Sequence, residues 1–231
     1  MDRPKIICHM LTSMDGKVTG SFLQSPQAER ACEHYYELHR SFDADAFACG
    51  RLTMEESFMD DAYPDLAPFV DAVVPAGDYI AEKHADHYAV AFDRKGRIGW
   101  KTGTLQDNDP GYDGAHIVEV VTSDAPKPCL AYLRSIGVSY ILAETVTDAL
   151  TKLKDRFGIR LLLLEGGSEL NGSFLKEDLV DEISLVQAPV LADPKGEPLF
   201  STACLKGAKL ISSQAYEDGS IALRYEMQKG S

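Results

Sequence analysis

Residues 161–169 read LLLLEGGSE, and this stretch decides the fold. Four consecutive leucines predict a strand buried on both faces, and the two glycines before Ser168 indicate a turn into a helix. At such a junction, backbone N–H groups and the helix dipole favour a phosphate, and glycine lets a ligand approach the backbone. The stretch therefore predicts a buried strand, a phosphate-binding turn and a helix over 169–176.

A second junction of the same kind follows the apolar run Ala44–Cys49, at Gly50 and Arg51. Thr53-Met54-Glu55-Glu56 resembles a capping box that opens the next helix. A guanidinium beside such a helix start is the group that recognises the 2′-phosphate of NADP, although a surface arginine is the alternative. Each glycine taken alone is more often a turn residue. Together, the two junctions suggest a dinucleotide held across strand ends, without the G-x-G-x-x-G fingerprint of the Rossmann fold.

Strands and helices alternate along the chain. The short apolar runs that predict strands are Ile6–Leu11, Ala44–Cys49, Tyr88–Phe92, Ile117–Thr122, Ser139–Ala143, Leu161–Leu164, Asp181–Val190, Lys209–Ser213 and Ile221–Met227. The helical patterns run from an N-cap at Ser25 to about Phe42, onward from Thr53, and over Pro128–Ile136, Thr147–Phe157 and Glu169–Lys176. This order predicts an α/β fold with a mixed, mostly parallel central sheet flanked by helices, and with an antiparallel C-terminal hairpin.

Length and charge restrict the classes of function. A chain of 231 residues suits one domain over 1–231 better than two smaller ones. The formal net charge of −13 argues against nucleic-acid binding, which requires clustered lysines and arginines. An anionic ligand would therefore need a local basic site.

The cysteines and histidines lack the spacing of metal or redox motifs. Five cysteines are scattered along the chain, which favours reduced, mostly structural thiols. The six histidines show no pattern such as H-E-x-x-H, so surface or packing roles are expected and no metal is expected. No apolar stretch approaches the roughly 20 residues that span a bilayer, so we expect a cytoplasmic protein without a membrane partner.

Several segments resemble one known family. Gly50–Ser57 looks like the Gly-Arg-x-Thr phosphate-binding segment of dihydrofolate reductases. The closer match is the reductase domain of bacterial riboflavin-biosynthesis deaminase/reductase proteins, within the same superfamily. The segments that resemble it, in the family's order and over most of the chain, are Ser13–Lys17, Asp45-Ala46 before Cys49-Gly50, and Glu165–Gly167 through Leu179–Glu182 to Pro189.

The resemblance implies a dihydrofolate-reductase-like reductase, usually dimeric, that uses NADPH. Its small-molecule substrate would be a 5-amino-6-ribosylaminopyrimidine phosphate, whose ribose is reduced to a ribityl chain in riboflavin biosynthesis. No His/Cys zinc-deaminase signature is present, so a stand-alone reductase is expected.

The resemblance also implies roles for individual residues. Asp15 and Glu165 match family carboxylates near the nicotinamide and substrate, where a carboxylate can accept hydrogen bonds and assist proton delivery. Asp15 before glycine is alternatively a plain turn residue, and Glu165 alternatively orients its loop. The residues implied to bind the cofactor are Gly50, Arg51, Thr53, Ser123, Gly166, Gly167 and Ser168. The residues implied to bind substrate are Ser13, Asp15 and Arg40.

The chain departs from the family at three places. Arg40 is displaced by one residue relative to Asp45, which affects the expected site for the substrate phosphate. After Pro189, where the family commonly has glycines, the chain reads Leu191–Gly196 as LADPKG. The stretch Asp60–Ala85 resembles an insertion and is open to interpretation as a lid or a dimer contact.

Two other functions remain open at the level of sequence. The first is NADPH-dependent reduction of another heterocycle, including dihydrofolate. Dihydrofolate reductases usually carry a Pro-Trp pair soon after the first strand, whereas the single tryptophan of this chain is Trp100. The second is a non-catalytic module that binds NADP without turning it over.

Overall fold

The structure, a computed structural model, describes residues 2–59, 63–202 and 205–228. Within these ranges lie nine strands: β1 Lys5–Thr12, β2 Ala46–Gly50, β3 Tyr88–Phe92, β4 His116–Val121, β5 Ser139–Leu142, β6 Leu161–Leu164, β7 Glu182–Gln187, β8 Ala208–Ala215 and β9 Ile221–Met227. The α-helices in the same ranges are α1 Pro26–Ser41, α2 Arg51–Phe58, α3 Lys127–Ser135, α4 Val146–Phe157 and α5 Ser168–Lys176. Two short 3₁₀ helices cover Ser21–Gln24 and Ala67–Phe69.

The predicted class, a mixed, mostly parallel α/β fold with an antiparallel C-terminal hairpin, is confirmed. Most boundaries agree within one to three residues, and Ser25 caps α1 as predicted, because its hydroxyl accepts a hydrogen bond from the Ala28 N–H at 3.2 Å. The predicted capping box at Thr53 is wrong. Helix α2 begins two residues earlier, at Arg51, with Gly50 as its N-cap, so Thr53 lies inside the first turn.

The chain divides into two compact units. The first unit comprises Met1–Pro4 and Asp45–Leu162, and the second comprises Lys5–Ala44 and Leu163–Ser231. The boundary between the units falls inside β6, between Leu162 and Leu163. The expectation of one reductase domain over 1–231 stays a prediction.

In the first unit, four parallel strands follow the order β5-β4-β3-β2. Almost every residue of β2, β3 and β4 is buried, which explains their mostly apolar composition. Helices α3 and α4 pack against β5 and bury side chains such as Leu133 and Leu150. Each fully buried leucine stabilises the fold by about 1.5–3 kcal/mol.

The described part of the segment 60–85 covers the edge of β5. Tyr79 pairs antiparallel with Tyr140, with both N–H···O distances at 2.9 Å. Asp78 accepts the Leu142 N–H through Oδ1 at 2.9 Å. An edge strand left unpaired exposes backbone groups that invite aggregation, so this contact protects the sheet edge. Whether the segment also acts as a lid or dimer contact stays a prediction, and residues 60–62 lie outside the described ranges.

In the second unit, β1 pairs parallel with β7, while β7 and β8 each pair antiparallel with β9. Helix α1 lies against β1 and β7 and buries Ala28 and Ala31 on that face. These alanines join a cluster whose other buried members are Leu11, Phe22, Val186 and Ala188. Small residues on α1 thus allow close packing of the helix on the strands that carry the candidate site of this unit.

Two acidic residues from the family-like motifs fix the starts of strands. Asp45 accepts the N–H groups of Arg160 and Leu161 through Oδ2 at 2.8 and 2.9 Å. Partial burial, the largest single influence, raises the pKa of Asp45, but these hydrogen bonds outweigh it and the pKa is lowered. Asp181 likewise accepts the Ile6 N–H at 2.9 Å. Both carboxylates therefore stabilise the sheet.

Candidate active site

The junction of the first unit lies where buried β2 ends and α2 begins. Gly50 is the N-cap and has no side chain to cap the helix. By contrast, the N-caps of α1 and α4, Ser25 and Thr145, each accept a backbone N–H through the side chain. The first turn of α2, which contains Arg51 and Thr53, is therefore available to an anion such as a phosphate.

Arg51 stands at this junction but is engaged by a carboxylate. Its Nη1 donates to Oε2 of Glu55 at 2.5 Å, one helical turn further on. The hydrogen bond to Glu55 raises the pKa of Arg51, and the charge of Asp93 adds to the effect. A phosphate that binds Arg51 must therefore compete with Glu55.

Ser123 follows β4 at the same sheet edge as Gly50, because β2, β3 and β4 run parallel in register. Its side chain is exposed, and its N–H donates to Oε1 of Glu144 at 2.8 Å. Hydrogen bonds from the Ser123 hydroxyl and amide lower the pKa of Glu144. Ser123, in the loop after β4, is therefore hydrogen-bonded to Glu144, which follows β5.

Two buried carboxyl groups of the first unit, one directly after β3 and one on β4, were not predicted from the sequence. Asp93, at the end of β3, is buried and accepts the N–H groups of Arg97 and Ile98. Glu119, in the middle of β4, accepts Nε1–H of Trp100 through Oε1 at 2.6 Å. Among the described residues its Oε2 has no hydrogen-bond partner. Burial, followed by the charge of Asp93, raises the pKa of Glu119 well above its usual range. A glutamate inside an otherwise apolar run was the available signal.

The junction of the second unit joins β6 to α5 through Glu165, Gly166 and Gly167. Gly166 has φ +102°, and a Cβ at this position would lie 3.2 Å from the methyl group of Met10, so glycine is required. Gly167 is the N-cap of α5, and the Gly166–Gly167 peptide bond is cis. Ser168 is 3% exposed, and its Oγ finds no hydrogen-bond partner within the described ranges. An unpartnered buried hydroxyl beside an uncapped helix start fits a ligand oxygen.

Glu165 is buried at the carboxyl end of β6 and contacts a histidine. Its Oε1 lies 2.7 Å from Nδ1 of His39, and both side chains are 3% exposed. His39 lies in the last turn of α1. A separation of 126 residues along the chain gave no local signal for this pair, so sequence reasoning missed His39.

A second buried histidine lies beside this pair on β1. Nδ1 of His9 is 3.0 Å from Oγ of Ser184, and Nε2 is 3.0 Å from the carbonyl oxygen of Tyr35. Burial lowers the pKa of His9; the charge of Glu165 opposes this effect, and that of His39 adds to it. His9 is therefore held as a neutral imidazole between two uncharged partners.

Asp15 follows β1 and is held by two hydrogen bonds. Its Oδ1 accepts the Ala192 N–H at 2.9 Å and the Ser13 hydroxyl at 2.7 Å. These bonds, the Ala192 amide first, lower the pKa of Asp15, so the exposed side chain is a carboxylate at neutral pH. Ala192 belongs to the segment 191–196 that departs from the family, so this segment supports Asp15. Arg40 lies on the exposed side of the last turn of α1, one residue after His39.

Within the described ranges, no group of three or more His, Cys, Asp or Glu side chains could hold a metal ion. Likewise, no helix in that part of the chain is long and apolar enough to cross a membrane.

The fold and the strand–glycine–helix junctions define the class as an α/β protein with a mixed, mostly parallel sheet and two helices that start without a side-chain cap. The chain matches the crystal structure of a pyrimidine reductase-like protein from Corynebacterium diphtheriae with a TM-score of 0.69, at 18% identity, covering 98% of this chain and 93% of the other. This likeness shows the shared fold. Residues 103–222 match the family model of the RibD C-terminal domain, and the chain belongs to that family.

Two curated relatives are named 2,5-diamino-6-ribosylamino-4(3H)-pyrimidinone 5′-phosphate reductase. The Methanothermobacter thermautotrophicus protein is 25% identical, over 98% of this chain and 92% of its own length. The Aquifex aeolicus protein is 24% identical over 213 residues, which are 86% of this chain and 82% of the relative. The assignment of the sequence to this reductase family, and to the oxidoreductases, is confirmed.

Proposed function

We propose that this chain is an NADPH-dependent reductase that converts the ribose of a 5-amino-6-ribosylaminopyrimidine phosphate to a ribityl chain in riboflavin biosynthesis. Family membership and the names of the curated relatives support the substrate class. One structural observation carries the proposal. The buried Glu165 carboxylate directly precedes an uncapped helix start with an unpartnered buried hydroxyl, Ser168 Oγ.

The proposal assigns the cofactor phosphates to residues at the two junctions. These residues are Gly50, Arg51, Thr53 and Ser123 in the first unit, and Gly166, Gly167 and Ser168 in the second. When bound, NADPH supplies the hydride, and the protein supplies position, electrostatics and a route for the proton. The first turn of α2 with the guanidinium of Arg51 in the first unit, and the first turn of α5 in the second, each fit a phosphate group.

The proposal assigns the substrate to the second unit. Asp15, kept ionised by Ala192 and Ser13, would accept hydrogen bonds from amino groups or sugar hydroxyls. Glu165 would act nearest the reacting carbon, where it orients the substrate and helps to deliver the proton. Arg40, which is exposed in the last turn of α1, would contact the substrate phosphate.

Cofactor choice is tested by fluorescence titration with NADPH and NADH. Removing a charge-assisted contact costs about 1.5–3 kcal/mol, so Arg51→Ala should weaken NADPH binding by about 10- to 100-fold and change NADH binding little. Glu55→Gln is the matched variant. It frees Arg51 from its competitor and should tighten NADPH binding. Equal affinity of all three proteins for NADPH would remove Arg51 from the cofactor site.

The substrate is tested by following NADPH absorbance with three compounds. These are the 2-amino pyrimidinone named for the relatives, its 2-oxo counterpart, and dihydrofolate. Turnover of either ribosylaminopyrimidine, strongly lowered but still measurable in Glu165→Gln, is the expected result. Turnover of dihydrofolate alone would instead establish the reduction of another heterocycle. NADPH binding without turnover of any of the three would indicate a non-catalytic module.

The proposal includes a homodimer. Strand β8 ends the strand order of the second unit, and all eight of its residues are exposed, including Leu210 at 50% and Ile211 at 48%. An unpaired edge with exposed apolar side chains favours addition of a strand from a second copy. Light scattering should show a dimer that Leu210→Lys dissociates. Val73→Lys is the control, because Val73 is an exposed residue of the first unit and its replacement should leave the dimer intact. A monomeric wild-type protein at micromolar concentration would contradict this part.

A cytoplasmic location completes the proposal. The cysteines Cys8, Cys32 and Cys129 are free, and Cys8 and Cys129 are buried. Burial, with the charge of Glu165, raises the pKa of Cys8, so its thiol is unreactive. Unpaired thiols are typical of a reducing compartment.

A further inference from the structure

The contact between His39 and Glu165 joins two side chains that are almost fully buried. Nδ1 of His39 and Oε1 of Glu165 are 2.7 Å apart, the distance of a charge-assisted hydrogen bond. Each side chain is only 3% exposed. A buried polar group is costly unless it is hydrogen-bonded, so the contact with His39 satisfies Oε1 of Glu165 at the end of β6.

His39 reaches Glu165 from the last turn of α1. Cys8 and His9 on β1 also lie near the pair, because the charge of Glu165 influences the pKa of both. Burial raises the pKa of the Cys8 thiol and lowers that of His9, so both stay neutral near pH 7. The ring of His9 is held by Ser184 and Tyr35, whereas that of His39 contacts Glu165 directly.

We propose that His39 is a positioning residue, which fixes the Glu165 carboxyl group in one orientation at the carboxyl end of β6. This inference rests on the proposed function, because it takes Glu165 to be the carboxylate that meets the substrate. With Oε1 held by His39, the carboxylate is pre-oriented before substrate binds. No reorganisation is then needed at the moment of hydride transfer.

Three variants separate positioning from stability. His39→Leu removes the ring nitrogen and should lower kcat by about 10- to 100-fold, the range seen when a group that orients a ligand is lost. NADPH affinity should stay unchanged. His39→Asn keeps an N–H near the position of Nδ1 and should recover most of kcat. His34→Asn is the control on the same helix, because His34 pairs with Asp218 at 3.1 Å, outside this cluster, and should leave the kinetics unchanged.

A double-variant comparison gives a readout that a merely structural role would not move. In Glu165→Gln, His39→Leu should cause little further loss of activity, because the group that His39 orients is already changed. An additive loss would overturn the proposal while leaving the reductase function intact.

Nitrogen-15 NMR of the histidine rings tests the pair without any turnover. In the wild-type protein the His39 signals should show a proton on Nδ1, and Glu165→Gln should shift them strongly. His39 signals that are identical in the two proteins would overturn the inference even if the enzyme is active. A wild-type protein that binds NADPH but reduces none of the three compounds would overturn the proposed function and this inference together.

Discussion

Replacing Glu119 with glutamine is expected to make the stability of the protein less dependent on pH and to increase it under alkaline conditions. Glu119 is fully buried on β4, and burial, followed by the charge of Asp93, raises its pKa well above 4.5. A carboxyl group with a raised pKa contributes stability that is fully present below its unfolded value. That contribution is lost as the pH rises towards the folded pKa.

The magnitude follows from proton linkage. Above pH 4.5, the unfolded chain releases the Glu119 proton while the folded chain retains it. The free energy of unfolding of the wild type therefore falls by up to about 1.4 kcal/mol per pH unit relative to the variant. The glutamine side chain of the variant still offers an oxygen to Nε1–H of Trp100, which lies 2.6 Å from Oε1 of Glu119 in the wild type. The buried amide of that glutamine costs about 1–3 kcal/mol if it is unpaired, and this cost does not depend on pH.

The assay is urea unfolding of both proteins at several values between about pH 5 and 8, a range above the unfolded pKa of glutamate. The wild type should equal or exceed Glu119→Gln in stability at the acid end, and the difference should shift in favour of the variant as the pH rises. Glu56→Gln, at an exposed position of α2, is the matched control and should follow the wild type. Parallel curves for wild type and Glu119→Gln would refute the reasoning.

Three further changes test other parts of the structure. Since burial lowers the pKa of His9, stability should fall as the pH drops below about 6.5, and His9→Phe should flatten that fall by up to about 1.4 kcal/mol per pH unit, measured by urea unfolding. Gly103→Ala places a Cβ against the carbonyl oxygen of Gly137 and should lower the free energy of unfolding by about 1–3 kcal/mol; an unchanged midpoint of urea unfolding would contradict this expectation. Asp45→Ala removes the acceptor for the Leu161 N–H and should cost about 1–2 kcal/mol, with earlier hydrogen exchange at the start of β6.

The amino-acid sequence by itself determined the order and type of the elements. The run Leu161–Leu164 and the similar apolar runs predicted buried strands, because a strand that is buried on both faces needs an apolar side chain at nearly every position. Glycines at strand ends predicted the two junctions, since the residues that form a turn are neighbours in the sequence. The same local signals carried the family resemblance. The roles given to Asp15, Glu165 and the cofactor-binding residues stay predictions.

Only the tertiary structure decided which polar groups meet. His39 and Glu165 are 126 residues apart, and their contact depends on how α1 packs in the second unit. The sequence predicted a role for Arg51 but not its ion pair with Glu55. The pair forms because α2 begins at Arg51, after Gly50 as N-cap, and this start places Glu55 one helical turn further on. Glu119 shows the physical reason: a pattern of apolar residues fixes where a side chain is buried, while its partners and its charge depend on the groups that packing brings beside it.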